Sequence, residues 1–155
     1  MQNSTRVRNP GRRKLQRGTA VIEFALSWAL MSLMFTGVYQ FGYTFYIYNA
    51  MLVSTTGAAE LASTYSYDTG DTSAYTTAIT NMVLYGDTVA GTKPIVPGLT
   101  AANVSVSISF NNSIPTDVTV SIASYTVDTF FKTFTFTGKP RVTVAYLGRV
   151  TCSTC

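Results

Sequence analysis

The chain of 155 residues is 46% hydrophobic and only 12% charged, with no histidine and two cysteines. Its formal net charge of +4 is unevenly distributed: six of the 11 basic residues precede Gly18, leaving five against seven acids and a net charge of −2 over residues 19–155. Nucleic-acid binding, which wants basic residues spread over a folded face, gains no support from this balance, and without histidine a serine lacks its ordinary base partner.

Residues 1–18 carry Arg6, Arg8, Arg12, Arg13, Lys14 and Arg17, no acid, and a Pro10-Gly11 break, which predicts a disordered basic leader. From Phe24 to Ala59 no formal charge occurs. The run from Val21 to Tyr39 is apolar on every face, and such a helix belongs in lipid or in the middle of a large protein. A chain of this length has no such middle, whereas about 20 helical residues cross the roughly 30 Å hydrocarbon core of a bilayer. With the basic cluster on its N-terminal flank, segment 19–48 is predicted as one span of a bacterial inner membrane, its N-terminus cytoplasmic and the remainder periplasmic. Tyr39, Phe41, Tyr43, Phe45, Tyr46 and Tyr48 mark the outer end, either as an interfacial aromatic belt or as a helix-packing surface. The run exceeds a secretory signal core of about 7–15 residues, and no Ala-x-Ala site follows closely; an uncleaved signal anchor stays open.

Glu23 does not fit a plain anchor. A carboxylate at the centre of a bilayer costs about 2.5–3.5 kcal/mol or more, so it either stays hydrated near the headgroups or has a partner. Five residues before it stands Gly18, at the end of the basic leader. The stretch Arg17-Gly18-Thr19-Ala20-Val21-Ile22-Glu23-Phe24-Ala25-Leu26 resembles the prepilin-peptidase substrates of the type IV pilin class. In detail it is similar to the start of TadE-like proteins, minor pseudopilins of the tight-adherence (Flp) pilus system. The likeness covers residues 14–62, through Gly37, Phe41-Gly42 and Gly57-Ala58-Ala59-Glu60-Leu61-Ala62.

The resemblance implies cleavage by a prepilin peptidase between Gly18 and Thr19. It also implies that Glu23, followed by Phe24, pairs after cleavage with the freed amine of a neighbouring subunit. Opposite charges about 4 Å apart gain roughly 4 kcal/mol at an effective dielectric near 20, which would set one helix in register against another. Two departures from the family pattern stand out. Ser27-Trp28-Ala29 occupies the region where many TadE-like proteins have a proline, and Ser54-Thr55-Thr56-Gly57-Ala58-Ala59 replaces a charged stretch after the span. The first puts a helix kink in doubt and the second removes a docking patch.

Beyond the span, residues 49–86 stay helix-compatible. The spanning helix is expected to continue as a periplasmic stalk to about Ser63–Tyr67, where Tyr67-Asp68-Thr69-Gly70-Asp71 reads as a turn. A second helix is predicted from Thr72 to Tyr85, capped by Asp71, Thr72 or Ser73 and stopped by Gly86-Asp87. Residues 87–103, with Gly91, Pro94, Pro97 and Gly98, read as linker. The period then becomes two: Val104–Phe110 and Val118–Tyr125 alternate apolar with Ser or Thr and are predicted to pair as an antiparallel hairpin around a turn at 111–117. Phe130, Phe134 and Phe136 form an aromatic set leading to an irregular strand, Gly138-Lys139-Pro140 turns the chain, and Arg141–Tyr146 supplies a last strand. The expected fold is α+β: a long N-terminal helix and a small head in which a helix packs on a three- to four-stranded antiparallel sheet within residues 104–155.

Cys152 and Cys155 would form a local disulfide in an oxidising periplasm, a link to another subunit, or a redox or metal pair. A zinc site would need two further ligands that no histidine or other cysteine supplies. The acids Glu60, Asp68, Asp71, Asp87, Asp117 and Asp128 are scattered, and no phosphate-cradling glycine loop occurs, so neither catalysis, a metal nor a cofactor is expected. Three functions remain: a TadE-like pseudopilin contacting the prepilin peptidase, other pilin subunits and the assembly machinery, an uncleaved single-span envelope protein with a periplasmic interaction head, or a periplasmic binding or adhesion module displayed by the anchor through Tyr- and Thr-rich loops.

Overall fold

The computed structural model describes residues 11–112, 114–129 and 132–152. The chain divides into two compact units, residues 1–41 and 42–155. The described part of the first is helical throughout, belonging to α1 (Gly11–Thr64). A disordered leader is expected as far as Gly18, yet α1 already includes Gly11. The chain from Arg12 to Arg17 is made of arginine, lysine, leucine and glutamine, which lose little on entering a helix, and no residue after Pro10 breaks it. Residues 1–10 lie outside the described part.

In the second unit one face of α1 is buried at Ile47, Met51, Ser54, Thr55, Ala58, Ala59 and Ala62, spacings of three and four that make a stripe. The stripe narrows from Ile47 and Met51 to alanines, which lets neighbouring chain approach closely. Its two buried hydroxyls cost little because each is satisfied locally, Ser54 and Thr55 both donating to the Met51 carbonyl at 3.0 and 2.7 Å. After α1 come β1 (Tyr67–Asp68) and α2 (Thr72–Tyr85). Asp71 caps α2, accepting from the Ser73 amide at 3.0 Å and the Ser73 hydroxyl at 2.6 Å. Gly86, at φ 75°, closes it in the left-handed conformation with its amide on the Met82 carbonyl.

The segment 87–103 is more than a linker. Val96 and Leu99 are fully or nearly fully buried, and a 3-10 turn at Ala101–Asn103 leads into the sheet. Strands β2 (Val104–Asn111), β3 (Ile114–Ile122), β4 (Ser124–Val127), β5 (Phe134–Thr137), β6 (Arg141–Ala145) and β7 (Val150–Thr151) follow. The main sheet has the order β2-β3-β6, all antiparallel. Its register places Val104, Val106 and Ile108 opposite Ile122, Val120 and Val118, and Val142 and Val144 opposite Val120 and Val118, on one apolar face. The other face aligns Ser105, Ser107, Ser121, Thr119 and Thr143, with a hydrogen bond of 2.8 Å between Thr119 and Thr143. α1, α2 and the Val96–Leu99 loop join the apolar face in one core.

Two expectations are corrected here. The hairpin turn is tighter than 111–117, because β2 runs on to Asn111 and β3 starts at Ile114, a bulge between Ser109 and Phe110 absorbing the irregularity. The second strand also does not continue to Tyr125. It breaks at Ala123, whose amide bonds to the Asn103 carbonyl, and β4 leaves to pair with β5 in a separate two-stranded sheet. Phe134 and Phe136 lie on β5, while Phe130 lies outside the described residues.

β1 and β7 form a parallel pair that no periodicity announces, with Tyr67 opposite Val150 and Asp68 opposite Thr151. Around it tyrosines interlock. The Tyr146 hydroxyl accepts from the Tyr67 amide at 3.0 Å and lies 2.9 Å from the carbonyls of Tyr65 and Arg149. Tyr75 is 1% exposed, donates to the Ala62 carbonyl at 2.6 Å and meets Tyr67 edge-on at 5.4 Å. Burial, with Tyr146 and Tyr67 adding to it, pushes the Tyr75 phenol well above its ordinary 10.0. Burial likewise raises Tyr146, against the lowering effect of the Tyr67 amide.

Three outcomes follow for the full chain in detergent. A Cβ at Gly148 would lie 2.7 Å from both the Tyr146 hydroxyl and the Tyr65 carbonyl. Gly148→Ala should therefore lower stability by about 1–3 kcal/mol in a melt followed by tyrosine near-ultraviolet circular dichroism, whereas Gly37→Ala, with open space around it, should not. Hydrogen bonds from Ser73 hold the Asp71 carboxyl below its ordinary 3.8, so the stability it contributes is present above that value and lost as pH falls through the lower folded-state one. An acid titration of the melting midpoint should show this step in the wild type and not in Asp71→Ser. For Tyr75 the sign is opposite: its contribution is full below 10.0 and lost as pH rises through the raised value. Absorbance at the tyrosinate band should show a class of phenols that ionises only with alkaline unfolding, diminished in Tyr75→Phe.

Candidate functional site

From Val21 to Phe41 the apolar side chains of α1 face outward in every direction. Phe24 is 69% exposed, Trp28 64%, Met34 74% and Phe41 76%. Backbone hydrogen bonds of a helix are closed internally, so this surface asks only for an apolar environment. Among the described residues α1 is the one helix long and apolar enough to cross a membrane, over Gly18–Thr64.

The residues singled out in the sequence lie along its beginning. Gly18, Thr19, Glu23 and Phe24 are all on α1 and all exposed. Thr19 and Glu23 are one turn apart, which places them on the same side of the helix. Phe24 stacks on Trp28, one turn further, at a ring separation of 6.3 Å. Gly18 has a helical backbone and nothing within 4 Å of the position a Cβ would take. Neither conformation nor packing within the chain asks for glycine there, and glycine inside a helix costs roughly 0.5–1 kcal/mol relative to alanine. The same holds for Gly37 and Gly42.

Cys152 follows β7 and is disulfide-bonded; Cys155, the chain's other cysteine, lies outside the described residues. Among the described residues no three histidines, cysteines or acids come together as a metal site, and no buried side-chain polar atom lacks a hydrogen-bond partner. The clasp of Tyr67, Tyr75 and Tyr146 joins positions about 80 residues apart, so local patterning carries no signal for it.

Comparison with known proteins returns no matching family model, no matching curated protein and no matching solved structure. Fold and surface together define a class: an α+β chain in which a long N-terminal helix, apolar enough to span a membrane, is joined to a second helix packed on antiparallel sheets.

If the outward-facing side chains of α1 meet lipid, charge there should be resisted strongly. Leu30→Arg, at a position 66% exposed, should lower the fraction of chain retained by membranes after alkaline extraction, while the equally exposed Val89→Arg, in the second unit, should not.

Proposed function

We propose that this chain is a TadE-like minor pseudopilin: stored in the inner membrane through α1, trimmed after Gly18, and packed by its N-terminal helix against other pilin subunits during assembly of a Tad/Flp-type pilus. Its work is mechanical rather than catalytic. The observation that carries the reading is Glu23, an exposed acid and the one formal charge between Gly18 and Ala59 of α1, one turn from the residue that cleavage would turn into an amine. In lipid the acid is costly alone and favourable beside a positive charge from a neighbour. Gly18 adds support, since the chain's own packing gives no reason for it.

One observation favours the alternative of an uncleaved single-span envelope protein with a periplasmic interaction head. The Gly18–Thr19 bond lies inside α1, and a peptidase needs its substrate backbone locally unwound. Glycine at that bond lowers the cost of unwinding.

Co-expression with a prepilin peptidase separates the two. Intact-mass measurement should show loss of residues 1–18 in the wild type and retention in Gly18→Ala. A wild-type chain that keeps its leader beside an active peptidase returns the anchor reading. Glu23→Ala should be inserted and trimmed normally yet fail to enter assembled fibres; normal incorporation would remove the proposed charge pair.

A further inference from the structure

Residues 42–155 contain a cleft of about 470 Å³ whose wall is built from Tyr43 of α1, the loop at Pro97 and Gly98, Asn103, and strand β4 with Asp128 just beyond it. Its frame is rigid. The Tyr125 hydroxyl donates to the Pro97 carbonyl at 2.6 Å, the Asn103 side-chain amide donates to the Ser124 carbonyl at 2.6 Å, and the Ala123 amide donates to the Asn103 carbonyl at 2.7 Å. Asp128 is the single charged residue among those described in the wall; it is exposed, its carboxylate accepts from the Thr133 hydroxyl at 3.3 Å, and the rest of the wall offers aromatic rings, hydroxyls, an amide and backbone. A site with one carboxylate, two tyrosine rings and, among the described residues, no cation selects a positive ligand: the acid supplies the counter-charge, and the rings attract a cation by their negative faces.

Position narrows the ligand further. Tyr43 stands four residues past the apolar run, in the aromatic set between Tyr39 and Tyr48. On the reading of 19–48 as a span, on which this inference rests, it lies where headgroups meet water. We propose that the cleft receives the primary ammonium of a phospholipid headgroup of the ethanolamine type, with Asp128 as its counter-charge and Tyr43 and Tyr125 as its walls. The volume is ample for such a headgroup, and its hydrogen-bond frame is already formed, so little ordering cost attends binding. A lipid held there would fix the depth at which the head meets the membrane.

The test uses the full chain in nanodiscs of phosphatidylglycerol with and without phosphatidylethanolamine, released gently and weighed by native mass spectrometry. One ethanolamine lipid should be retained in preference to phosphatidylglycerol by at least about tenfold, the scale of a charge-assisted hydrogen bond. Asp128→Asn should abolish the preference, and Tyr43→Leu, on an exposed helical position, should weaken it without altering the melt. Equal retention of the two lipids, or an unchanged preference in both variants, overturns the proposal. So does equally tight binding of soluble glycerophosphoethanolamine in lipid-free micelles, which would make the ligand a free amine. Alkaline extraction tells the two premises apart: a chain washed out of the membrane fails the span, whereas a chain that stays embedded without lipid preference fails the cleft alone.

Discussion

A helix closes its own backbone hydrogen bonds, and what it then demands of its surroundings is set by its side chains. In α1 that demand changes along the length. From Val21 to Phe41 the apolar groups point outward on all sides, while from Ile47 to Ala62 most of them gather into one buried stripe, Leu52 and Val53 staying outside it. The change in pattern is the physical basis of the division into two units. One needs an apolar medium and the other makes its own. At about 25 cal/mol per Å² of apolar surface, covering exposed residues such as Phe24, Trp28 and Phe35 would be favourable by roughly a few kcal/mol each.

The second unit is stabilised by long-range contacts more than by strong local elements. Its main sheet has three short strands, and a sheet that small depends on what covers it. Cover comes from the small-residue stripe of α1, from α2, and from Val96 and Leu99 in a segment that the sequence marks only with glycine and proline. Tyr75 links the layers, its ring against Tyr67 and Tyr146 and its hydroxyl on the α1 backbone at Ala62. Because that hydroxyl is satisfied, the ring can be buried almost completely without the cost of an orphaned donor.

Much of this is legible in the sequence because the signals are local. The uncharged run from Phe24 to Ala59 marks the long helix, Asp71 and Gly86 bracket α2 by capping chemistry, and the valine–serine alternation from Val104 gives both a strand and its buried face. What escapes notice depends on partners far away in the chain. The alternation of Val118–Ile122 loses its phase at Ala123-Ser124, Tyr125 and Val127 resuming it one residue out of step, but what ends the strand there, the Ala123 amide on the carbonyl of Asn103, lies twenty residues earlier. β1 and β7 are two residues each, too short for any period, and they form because Tyr146 and Gly148 bring them together. At the candidate site, the sequence marks Gly18 and Glu23 by type and spacing, and the fold adds that Gly18 is free of packing demands. Tyr43 and Asp128 meet only through tertiary structure, so the first reads as one more belt aromatic and the second as one scattered acid.

The parallel pairing of β1 with β7 also sets how the head answers tension. β1 follows α1 almost at once, and β7 runs beside it in the same direction, joined by the Tyr67 amide on the Arg149 carbonyl at 2.9 Å and the Thr69 amide on the Thr151 carbonyl at 3.0 Å. A pull along α1 against a hold on residues beyond Thr151 slides these strands past each other, so the bonds share the load instead of parting one after another as in a zipper. The Ser66 and Thr69 hydroxyls, on the same two carbonyls, share that load. Force entering by the helix thus has a short route out through β7, in parallel with the core contacts that α1 makes beneath the three-stranded sheet.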